Sequence, residues 1–244
     1  MSDMLGLIIM ITTTVVGATV VGAIVYIIVQ SIKAKESSKA GEFKVTTRLL
    51  FQTYLYLILF LSMIIGIVGA TIAIRAALSY KFDVPFSYSL YQAEVFEDAK
   101  LYDPTLKPEE FKECHTGEPV VYKGSTYCFD TEIQKTDLIN GITVFVSMVI
   151  LFAMHQFALS RIKSKDRYLW LNKVYLFVSL IVYSVIGLIT IPIATYQLTN
   201  YILSTNKEIL SSTPEAPALA LALVALTIPL WILFLKRTAT LKEK

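Results

Sequence analysis

Apolar and polar positions along this chain come in long blocks. Five stretches carry no charged side chain: between Asp3 and Lys33, Arg48 and Arg75, Asp137 and Arg161, Lys173 and Lys207, and Glu215 and Lys236. A bilayer core of about 30 Å is crossed by about 20 mostly apolar residues in a helix. All five stretches reach that length, so the pattern predicts an all-α membrane protein with five transmembrane helices. The spans read as Met4 to Val29, Leu49 to Leu78, Leu138 to Ser160, Trp170 to Leu203 and Ala216 to Leu235.

The polar blocks give these spans an orientation. The connector 31–48 carries Lys33, Lys35, Lys39, Lys44 and Arg48 against Glu36 and Glu42. The connector after the third span carries Arg161, Lys163, Lys165, Arg167 and Lys173 against Asp166, and the tail ends in Lys236, Arg237, Lys242 and Lys244. Basic connectors stay in the cytoplasm. The prediction is therefore N-out and C-in, with the acidic block 80–137 outside. Three regions follow: a two-helix N-terminal membrane region (1–79), an exterior subdomain (80–137), and a three-helix C-terminal membrane region (138–244) with a cytoplasmic tail.

Composition excludes more than it adds. With 55% hydrophobic and 17% charged residues among 244, a large soluble core is ruled out, since soluble domains carry nearer 25% charged residues. The net charge of +3 is a matter of topology, and its short juxtamembrane clusters do not predict nucleic-acid binding. The first span has no basic n-region and reads as a retained anchor.

Small residues mark faces for close helix packing: Ala18 and Gly22 in the first span, and Gly66, Gly69, Ala70 and Ala73 in the second. Arg75, near the outer end of the second span, is expected to snorkel to the headgroups. In the third span Asn140, Thr143, Ser147 and His155 fall roughly on one helical side, a polar face expected to turn inward. Pro192 is expected to kink the fourth span. Spans two and four match at one constant offset, with Tyr54-Leu55 on Tyr175-Leu176 and Ile65-Gly66 on Ile186-Gly187. Chance matches are common between apolar stretches; an internal duplication is the other reading, and by the topology above it would be a parallel repeat, not an inverted one.

The exterior block predicts a small α+β unit. Pro85 suits a helix start. Tyr88, Tyr91, Val95, Ala99 and Tyr102 keep helical spacing, which predicts an amphipathic helix ending at Asp103-Pro104. A short second helix is expected at Pro108. Residues 119–127 read as two short strands turning at Lys123-Gly124. Cys114 and Cys128 bracket that hairpin and are the chain's only cysteines. On the exterior side they are expected to form a structural disulfide. A redox pair would more often be Cys-x-x-Cys, and a metal site needs more ligands than His115 alone supplies.

Catalytic chemistry has no signature here. The chain has no Gly-rich phosphate loop, no His-Glu-x-x-His, no clustered histidines, and no Ser or Cys nucleophile with a base. The expectation is a non-enzyme without cofactor, metal or catalytic residue. Its partners are the lipid bilayer and another membrane or exterior protein or a second copy. A structural or accessory subunit of an envelope complex is the leading reading. The alternative is a small transporter or channel using the polar face of the third span and the kinked fourth.

The paired aromatic starts Phe51-Gln-Thr-Tyr-Leu-Tyr56 and Asn172-Lys-Val-Tyr-Leu-Phe177 resemble an uncharacterised family of bacterial multi-pass membrane proteins, classed only as a domain of unknown function. The resemblance covers mainly spans two to four. It implies a bacterial plasma-membrane protein and supplies no activity. The cysteine hairpin falls outside it.

Overall fold

The computed structural model describes residues 46–92, 94–95, 112–114, 117–122, 125–203 and 216–240. Four long helices dominate: α1 (Thr47–Lys81), α2 (Thr131–Arg161), α3 (Leu169–Leu203) and α4 (Ala218–Ala239). Each is long and apolar enough to cross a membrane, which marks the chain as a membrane protein. They match the second to fifth predicted spans. The first span, with Ala18 and Gly22, lies outside the described residues.

The helices outrun the apolar segments at several ends. At 1.5 Å per residue, α1 and α3 are each about 52 Å long, well beyond a hydrocarbon core of about 30 Å. Both have 35 residues. α2 begins at Thr131, seven residues before its apolar run. Its first turn is set by Asp130, whose carboxylate accepts the Glu132 N–H at 2.9 Å, the capping geometry that satisfies an orphan helix donor. α3 continues through Pro192 and α4 through Pro229.

Hydropathy does not distinguish the roles of α1 and α2, but burial does. In its most apolar stretch α1 is 44% buried and α2 only 6%. The buried line of α1 is rich in small and polar residues: Gln52, Ser62, Gly66, Gly69, Ala70, Thr71, Ala76 and Ser79. Small side chains let a neighbouring backbone come close, which is how helices associate where lipid removes the hydrophobic drive.

The chain forms two compact units. Among the described residues, the first comprises 46–67, Phe145–Thr190 and 224–240; the second comprises Val68–Val144 with the described residues of 191–223. In the first unit Leu49, Leu55, Tyr56 and Leu59 of α1 pack with Leu159 of α2 and Leu171 of α3. Tyr56 and Tyr175 rings meet at 5.4 Å. Tyr183 stacks on Phe234 at 5.4 Å, and Trp231 Nε1 donates to Ser184 Oγ at 2.8 Å. The connector from α2 to α3 is clamped from α1. Gln52, fully buried, donates from Nε2 to the Asp166 carbonyl at 2.8 Å and accepts from the Tyr168 N–H at 3.0 Å. Arg167 closes the end of α2, donating to the carbonyls of Leu159, Ser160 and Ile162. Those are the carbonyls a helix end leaves without partners.

The second unit carries the β structure. One helical turn, Val84–Ser87, has Pro85 in its first turn as expected. β1 (Tyr91–Gln92), β2 (Glu94–Val95), β3 (Lys112–Glu113), β4 (Glu118–Tyr122) and β5 (Ser125–Phe129) follow. β4 and β5 pair antiparallel with Tyr122 opposite Ser125, so the hairpin turns where the sequence indicates. β1 adds to the other edge of β5, giving the order β1-β5-β4, and β2 pairs with β3. The amphipathic helix expected from Tyr88 onward is not formed over its described residues. Tyr91 and Gln92 instead pair with Cys128 and Tyr127. A ladder partner supplied from thirty-odd residues downstream overrides a local three-to-four residue spacing. The later stretch of that helix and the one expected at Pro108 lie outside the described residues. Tyr88, Leu90, Tyr127 and Phe129 form the small core under the sheet. Gly117 has φ of +89°, and a Cβ there would strike the Phe129 backbone, so this turn into β4 needs glycine.

Candidate functional site

The expected disulfide is present. Cys114 and Cys128 are bridged, with Cα atoms 5.4 Å apart and a sequence separation of 14. Cys128 sits in the middle strand β5, facing Tyr91 on one side and Pro119 on the other. The bridge therefore ties the segment after β3 to the centre of the three-stranded sheet.

Beside the sheet several partly buried polar groups of the second unit come together. Arg75, six residues before the end of α1, is ion-paired through Nη2 with Asp137 Oδ2 of α2. The Tyr88 hydroxyl donates to the same oxygen at 3.0 Å. The guanidinium carbon of Arg75 lies 4.6 Å from the Tyr88 ring centroid, within reach of a cation–π attraction. Tyr88 in turn packs on Phe129 of β5 at 5.3 Å. One turn away, Gln134 Nε2 donates to Ser79 Oγ at 2.6 Å, and Ser79 donates to the Ala76 carbonyl. Burial pushes the Tyr88 phenol well above its ordinary value of 10.0. The Arg75 charge opposes this, and the hydrogen bond and charge of Asp137 reinforce it. Tyr88 thus stays a neutral donor, as a carboxylate acceptor requires.

Arg75 was expected to snorkel. It turns inward because Asp137 offers it a carboxylate where α1 and α2 lie side by side, and its side chain is only 20% exposed. The sequence signal was available. Asp137 closes the polar block seven residues into a helix, and a helix start carrying an acid opposite a helix end carrying an arginine is a natural antiparallel pair.

Of the small residues singled out for packing, Gly69 and Ala73 of α1 meet a glycine of α2 that the sequence pattern did not single out. A Cβ on Gly141 of α2 would come 2.9 Å from Ala73 Cα and 2.9 Å from the Gly69 carbonyl oxygen. The two backbones touch, which glycine permits. In the first unit Gly66 plays a looser version of that role: a Cβ there would lie 3.4 Å from Met148 Cβ.

The polar face is split. Asn140, Thr143 and Ser147 lie on the exposed side of α2 rather than turned inward. His155 does not share their surroundings. It follows Gln134, Gly141 and Met148 at steps of one heptad, along the side of α2 that meets α1 within each unit. Its Nδ1 lies 2.8 Å from the Leu151 carbonyl, which can only accept, so Nδ1 carries the proton. Nε2 is hydrogen-bonded with the Tyr54 hydroxyl at 3.2 Å. In the second unit it is Gly141, next to Asn140, whose backbone comes close to α1. No family model, curated protein or solved structure matches the chain.

Proposed function

We propose that this protein is a non-catalytic component of a bacterial plasma membrane, a structural or accessory subunit of an envelope complex. It spans five times, with its N-terminus and disulfide-bridged sheet outside and its C-terminus inside. The observation that carries this reading is the Tyr88–Arg75–Asp137 cluster. It anchors the sheet to the ends of α1 and α2, and its charges neutralise one another. Such a joint holds a surface in place. The surface it holds has β4 on the edge of its sheet, with Val121 75% exposed. An edge strand with an exposed apolar side chain suits a protein partner. The orientation follows from the cations Arg161, Lys163, Lys165, Lys236 and Arg237 at helix ends. The bacterial setting rests on the resemblance of the aromatic helix starts.

The test is purification from native membranes in mild detergent, with mass spectrometry of what co-elutes. A membrane or exterior protein in stoichiometric amount, lost on Val121→Asp, is the expected result. A protein that elutes alone at every detergent concentration overturns the accessory reading and moves the weight to transport.

A further inference from the structure

We propose that, in the first unit, the start of α1 and the end of α2 hold a binding site for the phosphate headgroup of an anionic phospholipid. The start of α1, the end of α2 and the connector after it enclose an open cleft of about 610 Å³. Its lining brings together Arg48, Arg161, Lys163 and Lys165 with one acid, Asp166. Asp166 is already engaged by Arg48 at 2.9 Å. Arg161, Lys163 and Lys165 are exposed at its rim. The cleft therefore carries a surplus of about three positive charges.

Three features make this more than a basic loop. The connector is held in shape by the buried Gln52 amide and by Arg167, so the lysines project from a fixed backbone. α1 begins at Thr47, which lines the cleft with Arg48, so the positive end of that helix dipole adds to the field. Apolar side chains line the cleft and continue beside it, as a lipid needs: Phe51 and Ile162 line it. Phe51 is half exposed, and the Arg161 guanidinium lies 4.6 Å over the Phe157 ring. Phe157, Met154 and Ile150 continue down the same side of α2, all exposed. A soluble phosphate would use only the cations. A phospholipid uses the cations for its phosphate and the Phe157–Ile150 side for its chains. Basic pockets between helices at a membrane surface recognise headgroups in this manner.

The test uses the full-length protein, purified in mild detergent and delipidated. Phosphatidylglycerol, phosphatidylcholine, glycerol phosphate and inorganic phosphate are titrated, with binding read by native mass spectrometry and by melting temperature. Phosphatidylglycerol is expected to bind at least about tenfold more tightly than phosphatidylcholine and to weaken with salt. The triple variant Arg161→Gln, Lys163→Gln, Lys165→Gln is expected to lose about a hundredfold in that affinity. Its melting temperature without lipid should stay unchanged, because all three side chains are exposed. Lys135→Gln, a cation in the second unit, is the control and should bind as the parent does. Equal affinity for phosphatidylcholine, or equal loss in the control, overturns the site in favour of diffuse attraction. Inorganic phosphate or glycerol phosphate binding as tightly as the lipid overturns the lipid assignment. Should the triple variant not fold, Lys165→Gln alone carries the test, with a loss of about fivefold.

Discussion

The two units hold similar charged groups to opposite ends. In the second, Arg75, Asp137 and Tyr88 close on one another beside the sheet, and the arginine and carboxylate are largely covered. In the first, Arg48 and Asp166 pair at an exposed rim, and Arg161, Lys163 and Lys165 stay open. Among the described residues, each unit also has one buried glutamine. Gln134 joins α2 to Ser79 of α1, while Gln52 joins α1 to the connector backbone. Closed charges serve the architecture, because an unpaired charge away from water is costly. Open charges cost little to keep and remain available to a ligand.

Removing a partner from the closed cluster should have the largest effect. Asp137→Ala leaves the Arg75 guanidinium without its carboxylate and should cost about 2–4 kcal/mol of stability, read by unfolding in detergent. The Arg75→Ala, Asp137→Ala double variant should cost less than the two single losses added together. Strict additivity would mean the pair is not coupled.

Gln52→Ala should come next, at about 2–3 kcal/mol, because it strands the Asp166 carbonyl and the Tyr168 N–H. Limited proteolysis should then open the connector between α2 and α3. An unchanged cleavage pattern would show that the loop holds itself. Gly141→Ala forces α1 and α2 apart and should cost about 1–3 kcal/mol, with a lowered melting temperature as the readout.

Tyr88→Phe should cost about 1 kcal/mol through the lost hydrogen bond to Asp137. It also carries a pH signature. An acid whose pKa is raised in the fold binds more protons folded than unfolded once pH exceeds its ordinary value of 10.0. Stability should therefore be unaffected by this group below that pH and fall as pH rises above it. The Tyr88→Phe variant should show a shallower alkaline loss in the same melting series, and an identical slope would remove Tyr88 from that account. The smallest effect should belong to Arg48→Gln. This exposed pair is worth at most about 0.5 kcal/mol, so melting should barely move. A loss as large as that of Asp137→Ala would erase the distinction between closed and open charges.

Charge-free blocks were sufficient to set the existence, type and approximate bounds of the four described membrane helices. A lipid core excludes unpaired charge and unsatisfied backbone, so span length is written directly in composition. The β4–β5 hairpin and the Cys114–Cys128 bridge were legible for equally local reasons: a two-residue turn and two cysteines with no other partner. Relations between distant segments were decided by the tertiary structure. Tyr91 and Gln92 are strand because β5 supplies a ladder, although their own spacing reads as helix. Asn140 is exposed while its neighbour Gly141 packs on α1, because close backbone approach needs a glycine there. Arg75 turns inward because Asp137 is there to meet it, and Gln52 is buried because a connector more than a hundred residues away needs its amide. In lipid an apolar pattern states that a helix is buried in something, but lipid and protein are equally apolar. Which side packs against protein is fixed by shape, close backbone approach and polar partners.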